Sequence, residues 1–250
     1  MQLLAGGCRV FGANEGDTTK KGNWTSRILV SRKSGAKYIS QAVNEYGPGR
    51  SPFLVNPRAE EVLYVVSGSG LCQIAGFDYD LRPGIGVYVP PGATYSIENR
   101  GGEKLLIVSV CCPEDDQRQV LSKPLENSGA RGEPPRRIVR EQDRLPIPVS
   151  DRQFKLLVDK DIGCQRVTQF IGFIPPSKAP FHYHTYEEVI FILEGSGVVH
   201  VKEESCEFSP GTSIYLPIGV WHCLENPGPS SVRLLGVFYP SGSPSVAYER

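Results

Sequence analysis

Four side chains in the second half of the chain have the types and spacing of metal ligands: His182, His184, Glu188 and His222. In an extended strand successive side chains point to opposite faces, so His182 and His184 share a side and Glu188 has the same parity. Imidazole nitrogen and carboxylate oxygen suit first-row divalent ions. Three imidazoles and one carboxylate can leave a coordination position open, which separates a reactive site from a closed structural one. The chain holds only four histidines. The fourth, His200, is a candidate acid or base, set against the ordinary reading of a strand histidine. Ile190 and Ile192 continue on the face of Glu188 and read as cavity lining. Phe181 and Tyr183 alternate outward and read as packing. Glu187 has the wrong parity for a ligand and reads as exposed or paired, Trp221 as core, and Asn226 as a turn former.

The elements that must position these groups are short. Gly (27) and Pro (21) are spread along the chain, and apolar residues come in brief runs broken by turn residues. That pattern predicts many short strands and nearly no helix. Strands are expected over residues 27–31, 37–43 and 105–110, and one helix over 114–122. Residues 113–150 are polar and Pro-rich and read as a linker, and the last ten residues as a loose tail. Residues 61–101 align without gaps on 188–228 at an offset of 127, with 13 of 41 positions identical. The identities fall mostly on Gly, Pro and Asn, including Gly68 with Gly195, Gly92 with Gly219 and Asn99 with Asn226. These are turn residues, so the shared feature is a hairpin framework, and the chain reads as a tandem duplication of one β-barrel domain.

The ligand stretches resemble the two motifs of the cupin superfamily. The first runs His182-x-His184, three residues, Glu188, six residues, Gly195, with Pro176 where a leading Gly is usual. The second is matched in full by Gly211, Pro217, Gly219, His222 and Asn226. The resemblance implies an all-β chain of two tandem double-stranded β-helix (jelly-roll) barrels, a bicupin. Its expected boundaries are 1–112 for the N-terminal barrel, 113–150 for the linker and 151–250 for the C-terminal barrel. It also implies that His182, His184, Glu188 and His222 hold one divalent transition metal. Iron or manganese come first, with nickel, zinc, cobalt and copper also acceptable to this donor set. In the N-terminal copy only Glu61 survives; Tyr95 replaces the later histidine and Asn56 stands near the paired ones. That barrel reads as metal-free, with a small polar pocket of Asn56, Glu61 and Tyr95 as the alternative.

Composition narrows the function classes. Formal net charge is zero, with no basic stripe for nucleic acid, and no apolar run is long enough to span a bilayer. No signal peptide is read at the N-terminus, and the seven cysteines lack a CxxC pair, which is the pattern of free thiols in a reducing cytoplasm. A small-molecule substrate or ligand is therefore expected, in a homodimer or a compact monomer. Cupins with this ligand set include dioxygenases, decarboxylases, isomerases and hydrolases as well as non-catalytic members, so fold does not decide reaction. The leading expectation is a quercetinase-like dioxygenase. The alternatives are an isomerase, decarboxylase or hydrolase on an oxo acid or sugar-like substrate, or a non-catalytic binding barrel.

Overall fold

The computed structural model describes residues 1–114, 117–125 and 132–244. Its regular structure is β-strand apart from four single-turn 3-10 helices, as the short apolar runs demand. Each half is a jelly roll in which a large sheet faces a small one across a lumen. In the C-terminal half the large sheet orders Gln2–Leu3, Arg9–Phe11, Ser213–Leu216, Glu187–Glu194, Val232–Tyr239, Thr168–Ile174, Arg152–Val158 and Ile147–Val149. Its small sheet orders Ser177–Lys178, His222–Asn226, Gly197–Val201 and Glu204–Phe208. The N-terminal half repeats this plan, with the strand Glu60–Ser67 between Ile85–Val89 and Leu105–Cys112.

The two halves are stitched together. Arg9–Phe11 comes from the start of the chain, yet it pairs with Ser213–Leu216 of the C-terminal sheet. Ile138–Arg140 edges the N-terminal sheet at the equivalent place, against Ile85–Val89. The stretch read as a linker thus supplies strands to both halves: Gln119–Leu121 and Ile138–Arg140 to the first, and Ile147–Val149 to the second. Among the described residues of the helix expected over 114–122, none is helical. Gln119–Leu121 is a strand paired with Phe53–Val55, because an open sheet edge offers backbone partners that a short polar helix lacks. Asp115 and Asp116 of that expectation lie outside the described residues, as do residues 245–250 of the expected tail.

The two large sheets pack face to face. Val43, Val62, Tyr64, Val108 and Val110 of one meet Val158, Ile171, Val189, Phe191 and Leu235 of the other in a single buried cluster. Each such fully buried aliphatic stabilises by about 1.5–3 kcal/mol, so this contact dominates the union. Two carboxylates fix its register. Glu187 is 1% exposed and accepts from the backbone N–H groups of Lys37, Tyr38 and Ile39 at 3.0–3.1 Å, and from the Tyr215 hydroxyl at 3.3 Å. Glu60 mirrors it, accepting from the N–H groups of Gln165 and Arg166 and from the Tyr88 hydroxyl at 2.8–3.1 Å. Glu187 is therefore neither surface nor ion pair: its outward parity carries it into the other barrel. All seven cysteines are free, six of them buried, as expected.

Candidate metal centre

The strand Glu187–Glu194 runs through the middle of its sheet and turns Glu188 inward, where it is 2% exposed. It ends at Gly195, whose φ of +79° and close approach to Val232 Cα, 3.0 Å from where a Cβ would sit, admit only glycine cheaply. His182 and His222 face each other in an isolated antiparallel bridge. The N–H of each donates to the carbonyl of the other, at 3.0 and 2.9 Å. The turn before His222 is held to the same stretch, since Gly219 N–H donates to the His184 carbonyl at 2.8 Å. Backbone alone thus brings the two motifs together.

The three rings pack with centroids 4.6–5.0 Å apart, and their available donor atoms lie within 4.8 Å of one another. This is the one such His/Cys/Asp/Glu group found among the described residues. His182 Nδ1 lies 3.0 Å from the Pro180 carbonyl and His222 Nδ1 2.8 Å from that of Val220. A carbonyl can only accept, so each Nδ1 carries the proton and each Nε2 is the unprotonated nitrogen. Burial, reinforced by the neighbouring imidazoles, pushes His222 down to about 3. Burial also lowers His182. Both rings are therefore neutral at physiological pH, the form a metal needs.

Glu188 and His184 complete the set. His184 Nδ1 and Glu188 Oε2 are 2.9 Å apart, yet both are buried and neither makes a well-formed hydrogen bond. Orphaned buried polar atoms are costly, and two of them pointing at one place mark a missing partner. A divalent cation would satisfy both: the three imidazoles form the cluster, Glu188 lies beside it, and this donor set fits such an ion. All four residues line one cavity of about 100 Å³, whose other walls include Phe154, Phe170, Tyr186 and Ile190. Ile192 is buried in the barrel core instead of lining this cavity.

His200 lies elsewhere. Its Nε2 is 2.7 Å from Glu225 Oε2, which also pairs with Lys178, and it does not line the cavity. Trp221, expected in the core, is 44% exposed. It alternates away from His222, and its ring leans on Tyr183 with centroids 5.3 Å apart. Sequence reasoning also missed Arg152, which lines the metal cavity. The alternation Arg152, Phe154 would have put it on the lumen face.

The N-terminal barrel places a guanidinium at the equivalent point. Glu61, fully buried, accepts from Asn56 Nδ2 at 2.6 Å and from the Tyr95 hydroxyl at 2.9 Å, and pairs with the guanidinium of Arg118. Arg118 also donates to Asn56 Oδ1 at 3.4 Å and lies 3.0 Å from Cys111 Sγ. Arg118 comes from the stretch read as linker, so spacing within the repeat could not reveal it. The three polar residues named from sequence do converge, but around a guanidinium.

A family model described as Cupin domain matches residues 43–111 and 170–238, together more than half of the chain. The chain belongs to the cupin family. The tandem matches make it a bicupin, and solved bicupins share its architecture. A variant of oxalate decarboxylase from Bacillus subtilis superposes with a TM-score of 0.76 at 16% identity, covering 94% of this chain and 78% of that one. Among curated proteins, a mannose-1-phosphate guanylyltransferase of Salmonella montevideo is 41% identical over 56 residues, 22% of this chain and 12% of that protein. A gentisate 1,2-dioxygenase of Ralstonia sp is 29% identical over 93 residues, 34% of this chain and 26% of that protein. The cupin thus spans only a minor part of these two relatives. No helix among its described residues is long and apolar enough to cross a membrane.

Proposed function

We propose that this bicupin is a divalent-metal enzyme whose C-terminal barrel acts on a small oxygen-bearing molecule, with dioxygenase-type chemistry as the first reading. The observation that carries it is the buried convergence of His182, His184, Glu188 and His222 on one cavity, with His184 Nδ1 and Glu188 Oε2 left without hydrogen bonds. A divalent metal held there would supply Lewis acidity toward a chelating pair of oxygens and, if redox-active, a place for dioxygen to react. Iron and manganese lead among the candidates. The chain's own contribution is positional. Pro180 and Val220 carbonyls hold two imidazoles in one tautomer, and Phe154, Phe170 and Ile190 keep the surroundings dry, so charge on a bound substrate is felt strongly.

A second reading, decarboxylation, has a specific observation in its favour. A cavity of about 100 Å³ suits a two- or three-carbon acid better than a flavonol. A non-catalytic binding barrel is the third outcome. One experiment separates them: protein loaded in turn with iron and manganese is offered catechols and small oxo and hydroxy acids while oxygen consumption and carbon dioxide release are followed together. Oxygen consumed in step with substrate supports the first reading. Carbon dioxide released without matching oxygen consumption supports the second. Bound but unconsumed compounds with every metal would sink the enzyme proposal.

A further inference from the structure

Two of the three clustered imidazoles are braced by backbone carbonyls, those of Pro180 and Val220. The third, His184, has no such brace among the described residues: its Nδ1 makes no hydrogen bond and faces Glu188 Oε2 at 2.9 Å. Its ring is held by a stack instead. Tyr186 lies against it with centroids 4.5 Å apart and planes 30° from parallel. Phe238 backs Tyr186 in turn, at 4.2 Å and 26°. Both backing rings are buried. Phe238 is the cross-strand partner of Glu188, so the column starts beside one candidate ligand and ends on another. Rings packed this closely turn only by giving up contacts on their faces.

The first barrel supplies the comparison. At the offset of 127, Ala59 stands for Tyr186 and Cys111 for Phe238, and Cys111 is likewise cross-strand from Glu61. Both are buried and neither carries a ring. Where the column would run, the guanidinium of Arg118 comes within 3.0 Å of Cys111 Sγ. The aromatic column is thus present in the barrel that has imidazoles to orient and missing from the barrel that has none. We propose that Tyr186 is a positioning residue for the metal: its ring, backed by Phe238, fixes the His184 imidazole as the two carbonyls fix His182 and His222. This deepens the metal-enzyme reading and rests on it. Without the stack, binding would first have to freeze a ring that is otherwise free to turn. The ring and not the hydroxyl carries the role, so Phe can replace Tyr186 and an aliphatic residue cannot.

The test is cobalt(II) titration of wild type, Tyr186→Phe, Tyr186→Leu and Phe238→Leu, read by the visible spectrum of the bound ion, which reports its coordination geometry. Thermal unfolding of the metal-free proteins is measured beside it. Tyr186→Leu is expected to weaken cobalt binding by about tenfold or more, as removing a group that orients a ligand does, and to shift the cobalt bands. Tyr186→Phe is expected to keep both affinity and bands. An unmoved spectrum in Tyr186→Leu overturns the inference, whatever its Tm, because the ring would then be packing alone. A Phe variant as weak as the Leu variant also overturns it, since the hydroxyl would then be the active part. If Tyr186→Leu does not fold, Phe238→Leu decides: it leaves Tyr186 in place but unbacked, shifted bands support the column, and bands like wild type overturn it. If wild type binds no cobalt, the metal reading falls by itself. The imidazole resonances of His184 in metal-free protein then decide the stack: shifted or broadened in Tyr186→Leu but not in Tyr186→Phe supports the orienting role, and unchanged in both refutes it.

Discussion

Removing Arg118 from the N-terminal barrel tests the claim that a guanidinium does there what a metal is proposed to do in the other barrel. Arg118→Met keeps the apolar stem and deletes the charge. Glu61 is then left fully buried with Asn56 and Tyr95 as donors and no countercharge. Breaking a buried ion pair from one side costs about 3–5 kcal/mol. The Arg118 side chain is 21% exposed and that of Glu61 1%, so water recovers part of the cost and the low end, about 3 kcal/mol, is expected. For a chain of this size that corresponds to a fall in Tm of roughly 6–12 °C. The double variant Glu61→Gln, Arg118→Met removes both charges and is expected to recover much of the loss, giving a coupling well outside additivity. Urea unfolding of the four proteins measures the loss and the coupling, and thermal unfolding the fall in Tm. A loss under about 1 kcal/mol for Arg118→Met, or additive single and double variants, would refute the reasoning.

Three further outcomes follow from the geometry. Wild type is expected to retain a single equivalent of divalent metal after dialysis and His222→Ala none, by plasma mass spectrometry; metal kept by the variant would place it elsewhere. The metal-free protein should lose stability in acid. His222 sits near 3 when folded against an ordinary value of 6.5, so the unfolded chain binds the extra proton. That stability is fully present above about pH 6.5 and is lost as pH falls toward 3; a urea midpoint series in which His222→Gln shows the same slope would contradict it. Glu187→Gln weakens three charge-assisted bonds to Lys37, Tyr38 and Ile39 and is expected to cost about 1.5–3 kcal/mol, and a change under 0.5 kcal/mol would dismiss the clasp.

Much of the fold was legible because it is written in local chemistry. Turn residues at a fixed offset exposed the duplication, and strand parity put His182, His184 and Glu188 on one side. What stayed hidden is whatever depends on contacts between distant segments. No pattern within residues 2–11 says that Arg9–Phe11 will join the sheet of the other half. Parity alone made Glu187 a misfit, although the same outward direction leads to a second barrel once that barrel is known to be there. Arg118 was unreadable for a related reason. Its partner Glu61 is 57 residues away, and its own neighbours are polar residues with no periodicity. Trp221 failed differently, since size argued for burial and alternation from His222 argued against, and alternation won.

The paired glutamates at 60–61 and 187–188 show how one scaffold can keep its architecture and change its chemistry. In each pair the first residue points out of its barrel and accepts backbone N–H groups from the other, while the second points into its own lumen. The outward pair is doing the same task twice: Tyr88 supports Glu60 as Tyr215 supports Glu187. The inward pair has parted. Glu61 is saturated by Asn56, Tyr95 and Arg118, and so has little left to offer a metal. Glu188 is left with an unsatisfied oxygen beside three imidazoles. Because adjacent strand residues face opposite ways, a change on one face leaves the other almost untouched. The lumens of the two barrels can therefore differ without disturbing the interface that holds the two together.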